Sequence, residues 1–160
     1  MAKLYGSLVG TPVQGLMTSG AGFIPSDYKD GHDLILWRDY VTANNNVVGD
    51  QISFGLYPTQ AYFDPYRPVL HFAPFGTGCT LNIGDVNHPT GIQAALSIAT
   101  QGNSKLWPLS AMAPLYAQPL WQRLGYPTDP GGMLELLGTF GGANPANGAS
   151  VAWQFWGRRH

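Results

Sequence analysis

Between Val69 and Asp85 the chain is committed to β-structure. Val69-Leu70-His71-Phe72 is a short apolar run that favours a strand, and Pro74 ends it because proline has no backbone donor to continue a ladder. Phe75-Gly76-Thr77-Gly78 then supplies two glycines where a turn needs dihedrals that other residues avoid. After the turn Cys79, Leu81 and Ile83 alternate with Thr80, Asn82 and Gly84, a period of two that puts the apolar groups on one face. The stretch predicts a hairpin, Val69–Phe72 against Cys79–Gly84, with one buried face. A lone hairpin is marginal in water, so further strands must cover it.

Those strands are present in the pattern. Leu34 to Val41 is apolar on both faces at its start, as a buried strand can be. Ile52, Phe54 and Leu56 alternate with Gln51, Ser53 and Gly55, and Ala61 to Asp64 is a shorter run closed by Asp64-Pro65. Gly91 to Ala99 fits a helix through Ile92, Leu96 and Ala99, or a strand through Ile92, Ala94, Leu96 and Ile98. Lys105 to Leu109 offers another strand. Pro119 to Leu124 reads as a turn or two of helix, with proline at its first position and Leu120, Trp121 and Leu124 on one face. Tyr126 to Gly132, with two prolines and two glycines, is a loop. Leu134, Leu136 and Phe140 share one face of a late strand, and Val151, Trp153 and Phe155 share one face of the last. About eight short strands with frequent turns and little helix predict an all-β fold, a jelly-roll-like β-sandwich spanning residues 32–160.

Residues 1–31 differ from this domain. Gly6, Gly10, Gly15, Gly20 and Gly22 separate short apolar pieces, and no strand or helix period persists. A flexible polar leader has no use for Leu8, Val9, Leu16, Met17, Phe23 and Ile24. The expectation is an extended N-terminal arm whose apolar pieces dock on a neighbouring subunit.

Only 11% of residues are charged, with a formal net charge of −1. An ordinary soluble domain carries roughly 25%. With 44% hydrophobic and 12% aromatic residues the chain is not a disordered polymer. A folded domain so poor in charge has a surface weakly defended against association, which points to assembly with itself or with other chains. The near-neutral balance argues against nucleic acid as a partner. No apolar window is long enough for a membrane span or for a signal-peptide core, so no membrane association is expected. Cys79, the single cysteine, reads as a small buried hydrophobe.

Chemistry-bearing patterns are sparse. Gly76-Thr77-Gly78 lacks the third glycine of a dinucleotide fingerprint, and there is no phosphate-binding loop, nucleophile elbow or His-Glu-x-x-His. Asp27, Asp30, His32 and Asp33 form the densest acidic cluster, but without the closing glutamate of a calcium loop. Asp85 and His88 lie in a turn, where an aspartate bonds its own backbone, and His71 reads as a packing histidine within a strand. No catalytic set, metal or cofactor is expected. Of the five tryptophans, Trp37 and Trp153 sit on patterned strands and read as core. Trp107, Trp121 and Trp156 are less well placed, and Trp107 and Trp156 join the arm residues as interface candidates.

Several phrases resemble a family of small structural proteins of tailed bacteriophages. They are Asp33-Leu34-Ile35-Leu36-Trp37-Arg38-Asp39, Gly49-Asp50-Gln51-Ile52-Ser53-Phe54-Gly55, His71-Phe72, and the run from Phe75 to Asp85. Pro119 to Tyr126, Gly131 to Leu136 and Val151 to Phe155 extend the resemblance, which covers roughly residues 33–155. It implies a virion protein similar to capsid cement, or decoration, proteins: a sandwich on the capsid exterior, made in the host cytoplasm, that clamps the major capsid protein and assembles as a dimer or trimer. The alternative is a receptor- or glycan-binding fibre or neck module.

Overall fold

The computed structural model describes residues 3–5, 35–64, 67, 69–106 and 118–158. Ten strands and one short helix are formed among them: β1 (Lys3–Tyr5), β2 (Ile35–Thr42), β3 (Gln51–Pro58), β4 (Tyr62–Phe63), β5 (Val69–Phe72), β6 (Cys79–Gly84), β7 (Gln93–Ser97), β8 (Gly102–Lys105), α1 (Leu120–Leu124), β9 (Met133–Gly142) and β10 (Ser150–Arg158). One sheet has the order β1-β3-β9-β6-β7, and the other β2-β10-β5-β8, with β4 also paired to β10. Outside β1 and β4 the antiparallel pairs are nested: β2 with β10, β3 with β9, β5 with β8, β6 with β7. Successive pairs fall in alternate sheets. A long hairpin rolled around a core gives this arrangement, and it is the jelly roll. The all-β sandwich expected from the alternation is therefore the fold.

The hairpin proposed for Val69–Gly84 is not formed. β5 lies in one sheet and β6 in the other, so the segment between them is an arch across the sandwich. Phe75 explains the difference. Its ring is 1% exposed and lies 5.6 Å from that of Phe140. Its N–H donates to the Ile98 carbonyl, and its own carbonyl accepts from Ala146. A hairpin would leave this ring in water at the tip of a turn, whereas the arch buries it, a gain of roughly 1.5–3 kcal/mol. Period-two alternation in the flanking strands is the same for both outcomes.

Two other local readings change. In β3 the register shifts between Ser53 and Gly55, leaving Phe54 as the extra residue of a bulge, with Gly55 at φ 117°. The bulge reverses the alternation beyond it, so Tyr57 is buried in the core and Leu56 is only half-buried. The Tyr57 hydroxyl donates to the Phe54 carbonyl (2.7 Å), closing the bulge. In α1 the buried side chains are Leu120, Arg123 and Leu124, whereas Trp121 is half-buried. Pro119 sits at the N-cap, one position before the helix, and Gly125 ends it at φ 99°.

The ambiguous segment after Gly91 is a strand, β7, and not a helix. It is held by the Ile92 N–H on the Ile83 carbonyl and by the Ala95 N–H on Asn82 Oδ1 (2.7 Å). β8 begins earlier than expected, at Gly102, and ends at Lys105. The N-terminal segment contributes a strand that no periodicity announced: Lys3–Tyr5 pairs in parallel with β3.

The core lies between the sheets and is aromatic at one end. Tyr57, Phe63, Phe155 and Trp37 meet at ring separations of 5.1 to 6.3 Å, and Phe54 meets Trp153 at 5.1 Å. Gly138, between Leu136 and Phe140 on β9, gives Phe54 its space: a Cβ there would lie 2.9 Å from the ring. Cys79 is fully buried, and burial raises its thiol pKa, consistent with the small-hydrophobe reading.

Candidate interaction surfaces

Antiparallel nesting gathers the connections at two ends of the sandwich, and the two ends are chemically unlike. The first end holds the β2–β3, β5–β6, β7–β8 and β9–β10 loops (residues 43–50, 73–78, 98–101 and 143–149). In these four loops the only charged residue is Asp50, which is 5% exposed. Its carboxylate is turned inward, accepting from the Val47 N–H (3.1 Å) and from Asn46 Nδ2 (3.2 Å). The loops are tied by uncharged groups. The Asn45 N–H donates to Asn147 Oδ1 (3.2 Å), and the Val48 N–H donates to Asn144 Oδ1 (2.9 Å). Paired backbone bonds also join Ala43 to Ala149 and Gly148 to Ala43. Held on this frame, Val47 and Val48 are 49% and 47% exposed at the tip.

The second end holds residues 59–64, Arg67, 85–92 and 118–132, including α1. It carries Asp64, Arg67, Asp85, Arg123 and Asp129. Asp85, 2% exposed, is its centre. Its Oδ1 accepts the N–H groups of Asn87 (3.1 Å) and His88 (2.6 Å), and its Oδ2 accepts the Tyr126 hydroxyl (2.5 Å). The His88 ring stacks edge-on against Tyr126 at 4.3 Å. Burial, and then the bond to Asp85, raise the Tyr126 pKa. The turn reading of Asp85 and His88 accounts for this geometry: the carboxylate's oxygens are occupied by the turn and by Tyr126.

Buried Arg123 fastens α1 to the sandwich. Its Nε donates to the Gln118 carbonyl (3.0 Å) and Nη2 to the Phe63 carbonyl (3.1 Å), while burial lowers its pKa to about 10, partly offset by Asp64. A guanidinium buried at a helix this short was invisible to periodicity, which assigns Arg to the solvent face.

The outward face of the β2-β10-β5-β8 sheet is the third surface. Strand register lines up Tyr40, Ala152, His71 and Asn103 across it. His71 is exposed there, not packed as expected. With Ala73, Gln101, Ser150 and Ala152 it lines an open cleft of about 690 Å³. Farther along the same face Trp156 is half-buried, with the Arg67 guanidinium 5.7 Å from its ring centre and Asp64 3.6 Å from Arg67 Nε.

Of the interface candidates read from the sequence, Trp156 is thus placed on an outward face. Leu8, Val9, Leu16, Met17, Phe23, Ile24 and Trp107 lie outside the described residues, as do Asp27, Asp30, His32 and Asp33. Trp37 and Trp153 belong to the core or pack against it. Among the described residues no group of three or more His, Cys, Asp or Glu side chains is placed to hold a metal, and no helix is long and apolar enough to cross a membrane.

Sequence comparison gives no match to a protein-family model or to a curated protein. Structural comparison does. The chain is similar to one from the capsid of Ralstonia phage GP4, with a TM-score of 0.62 at 17% identity over 99% of both chains. It is also similar to a chain of the Cyanophage Pam1 capsid asymmetric unit, with a TM-score of 0.50 at 13% identity over 79% of this chain and 86% of that one. At these identities the likeness is one of fold.

Proposed function

We propose that this protein is a structural component of a tailed-phage virion, a cement or decoration protein that binds the outer surface of the assembled major-capsid lattice and stabilises the head. The observation that carries the reading is the end-to-end likeness of fold to a chain from a phage capsid. The charge-poor surface supports it, because such a surface loses little solvation free energy when another protein covers it. Val47 and Val48, on a loop end with no exposed charge, are the contact that faces the shell. The apolar pieces of the N-terminal arm and Trp107 add contacts to neighbours, and copies associate with one another as a dimer or trimer.

The mechanism is mass action. A protein that binds the assembled lattice and not its separated subunits stabilises the lattice by an amount set by its concentration and affinity. The exterior position follows from the same logic, since the lattice must exist before it can be clamped. The test is composition and add-back. Purified heads should carry hundreds of copies, and heads stripped of the protein should regain heat resistance when it is restored. A dozen copies or fewer per particle would instead indicate a neck or fibre protein.

The cleft on the outward sheet face favours one alternative. His71, Gln101, Asn103 and Ser150 present amide, imidazole and hydroxyl groups without a formal charge among the lining residues, with Tyr40 in the same row. A receptor- or glycan-binding module would use such groups on sugar hydroxyls. Glycan binding that is lost in His71→Ala and Asn103→Ala, in a protein present at low copy number, would select this reading.

A further inference from the structure

β1 is joined to the sandwich by far more chain than its position requires. It pairs with β3 at only three positions, Lys3 with Gln51, Leu4 with Ile52 and Tyr5 with Ser53. It is also the parallel strand in a sheet whose other pairs are antiparallel. The next strand, β2, lies directly across the core from β3, since the Trp37 and Tyr57 rings meet at 5.3 Å. Passing from one layer of a sandwich to the other spans about 10 Å. Residues 6–34 join the two strands, a length of chain that reaches roughly 100 Å when extended.

From this excess we infer that β1 is an exchanged strand: in the assembled state the Lys3–Tyr5 segment of one copy adds to the β3 edge of a second copy. The backbone bonds are the same whether β3 receives its own β1 or another copy's, so the choice rests on chain entropy. A long tether lowers the effective concentration of a chain's own strand to the millimolar range or below. Copies packed side by side on a shell reach comparable concentrations, and each exchange then ties two subunits without any new contact. The occupant is specified by the ladder itself, because β3 offers an open edge only where β1 now lies. The inference rests on the reading of the chain as an assembling protein. Its test needs no capsid, so its failure is distinguishable from failure of the cement role.

The test is disulfide trapping at the Lys3–Gln51 pair. Lys3→Cys and Gln51→Cys are made separately, mixed at about millimolar concentration, where exchange competes with self-pairing, and oxidised. Wild type, with Cys79 buried, serves as the control. Exchange predicts a mixed disulfide dimer of one Lys3→Cys chain and one Gln51→Cys chain, in several-fold excess over either homodimer. It also predicts that the Lys3→Cys/Gln51→Cys double variant is trapped as covalent dimers or larger rings. If the double variant closes only on itself as a monomer and the mixture yields no mixed dimer, β1 stays with its own chain and the inference fails. Absence of any link in both experiments removes the pairing altogether and overturns it equally.

Discussion

The two ends of this sandwich solve the same problem, fastening loops that lie far apart in sequence, with opposite chemistry. The Asp85 end uses a buried carboxylate, a phenol and a buried guanidinium, whereas the Val47–Val48 end uses asparagine amides and backbone bonds and hides its single carboxylate. Buried charged groups fix geometry strongly but are costly to leave unpaired. Exposed amides fix it weakly and leave a neutral surface. The first end is built to stay folded, and the second is built to be covered.

Backbone crowding gives the sharpest way to break that contrast. At the Asp85 end a Cβ on Gly84 would lie 1.9 Å from the His88 carbonyl oxygen, a backbone atom that cannot yield without opening the turn. Gly84→Ala should cost about 4 kcal/mol or more, or abolish soluble folding. Gly49, at the other end, has open space around it and only its φ of 92° to defend, so Gly49→Ala should cost about 1–2 kcal/mol. Urea unfolding of the pair measures both, and equal losses would erase the distinction.

Next in size are the polar ties. Asp85→Ala strands two backbone donors and the Tyr126 hydroxyl in a buried place and should cost about 2–4 kcal/mol. Asn144→Ala removes an exposed acceptor from the Val48 N–H and should cost about 0.5–1 kcal/mol. Thermal unfolding orders them, and a larger loss for Asn144→Ala would reverse the assignment of the two ends.

How much of this was legible in the sequence follows from what alternation can and cannot encode. Period two placed Leu81, Ile83, Leu136, Phe140, Val151, Trp153 and Phe155 facing inward correctly, and turn residues separated the strands. It could not say that β5 and β6 belong to different sheets, because flanking strands alternate alike in a hairpin and in an arch. The apolar Phe75 inside the turn was the available sign. Nor could it foresee the bulge that exchanges Leu56 for Tyr57, although Gly55 beside Phe54 marks where one is tolerated. The low charge was visible as composition. Its concentration at one end was not, because Asn45 and Asn147 become neighbours only when β2 and β10 pair.

A smaller effect, in pH, sharpens the comparison further. Folding raises the Tyr126 pKa above its unfolded value near 10. The stability contributed by its protonated hydroxyl is therefore complete below about pH 10 and is lost as pH rises through the folded pKa. Tyr126→Phe should cost about 1–2 kcal/mol at neutral pH, and the gap to wild type should narrow above pH 10. A gap that widens in that range would contradict the placement of Tyr126 against Asp85.

The surface claim is tested most directly by the double substitution Val47→Asp/Val48→Asp, assayed on heads stripped of the native protein. Both side chains are about half exposed, so the change in stability should stay within about 0.5 kcal/mol. Docking through the uncharged end predicts an unchanged Tm for the free protein together with a loss of head binding and of restored heat resistance. Full binding and full protection by this variant would contradict it.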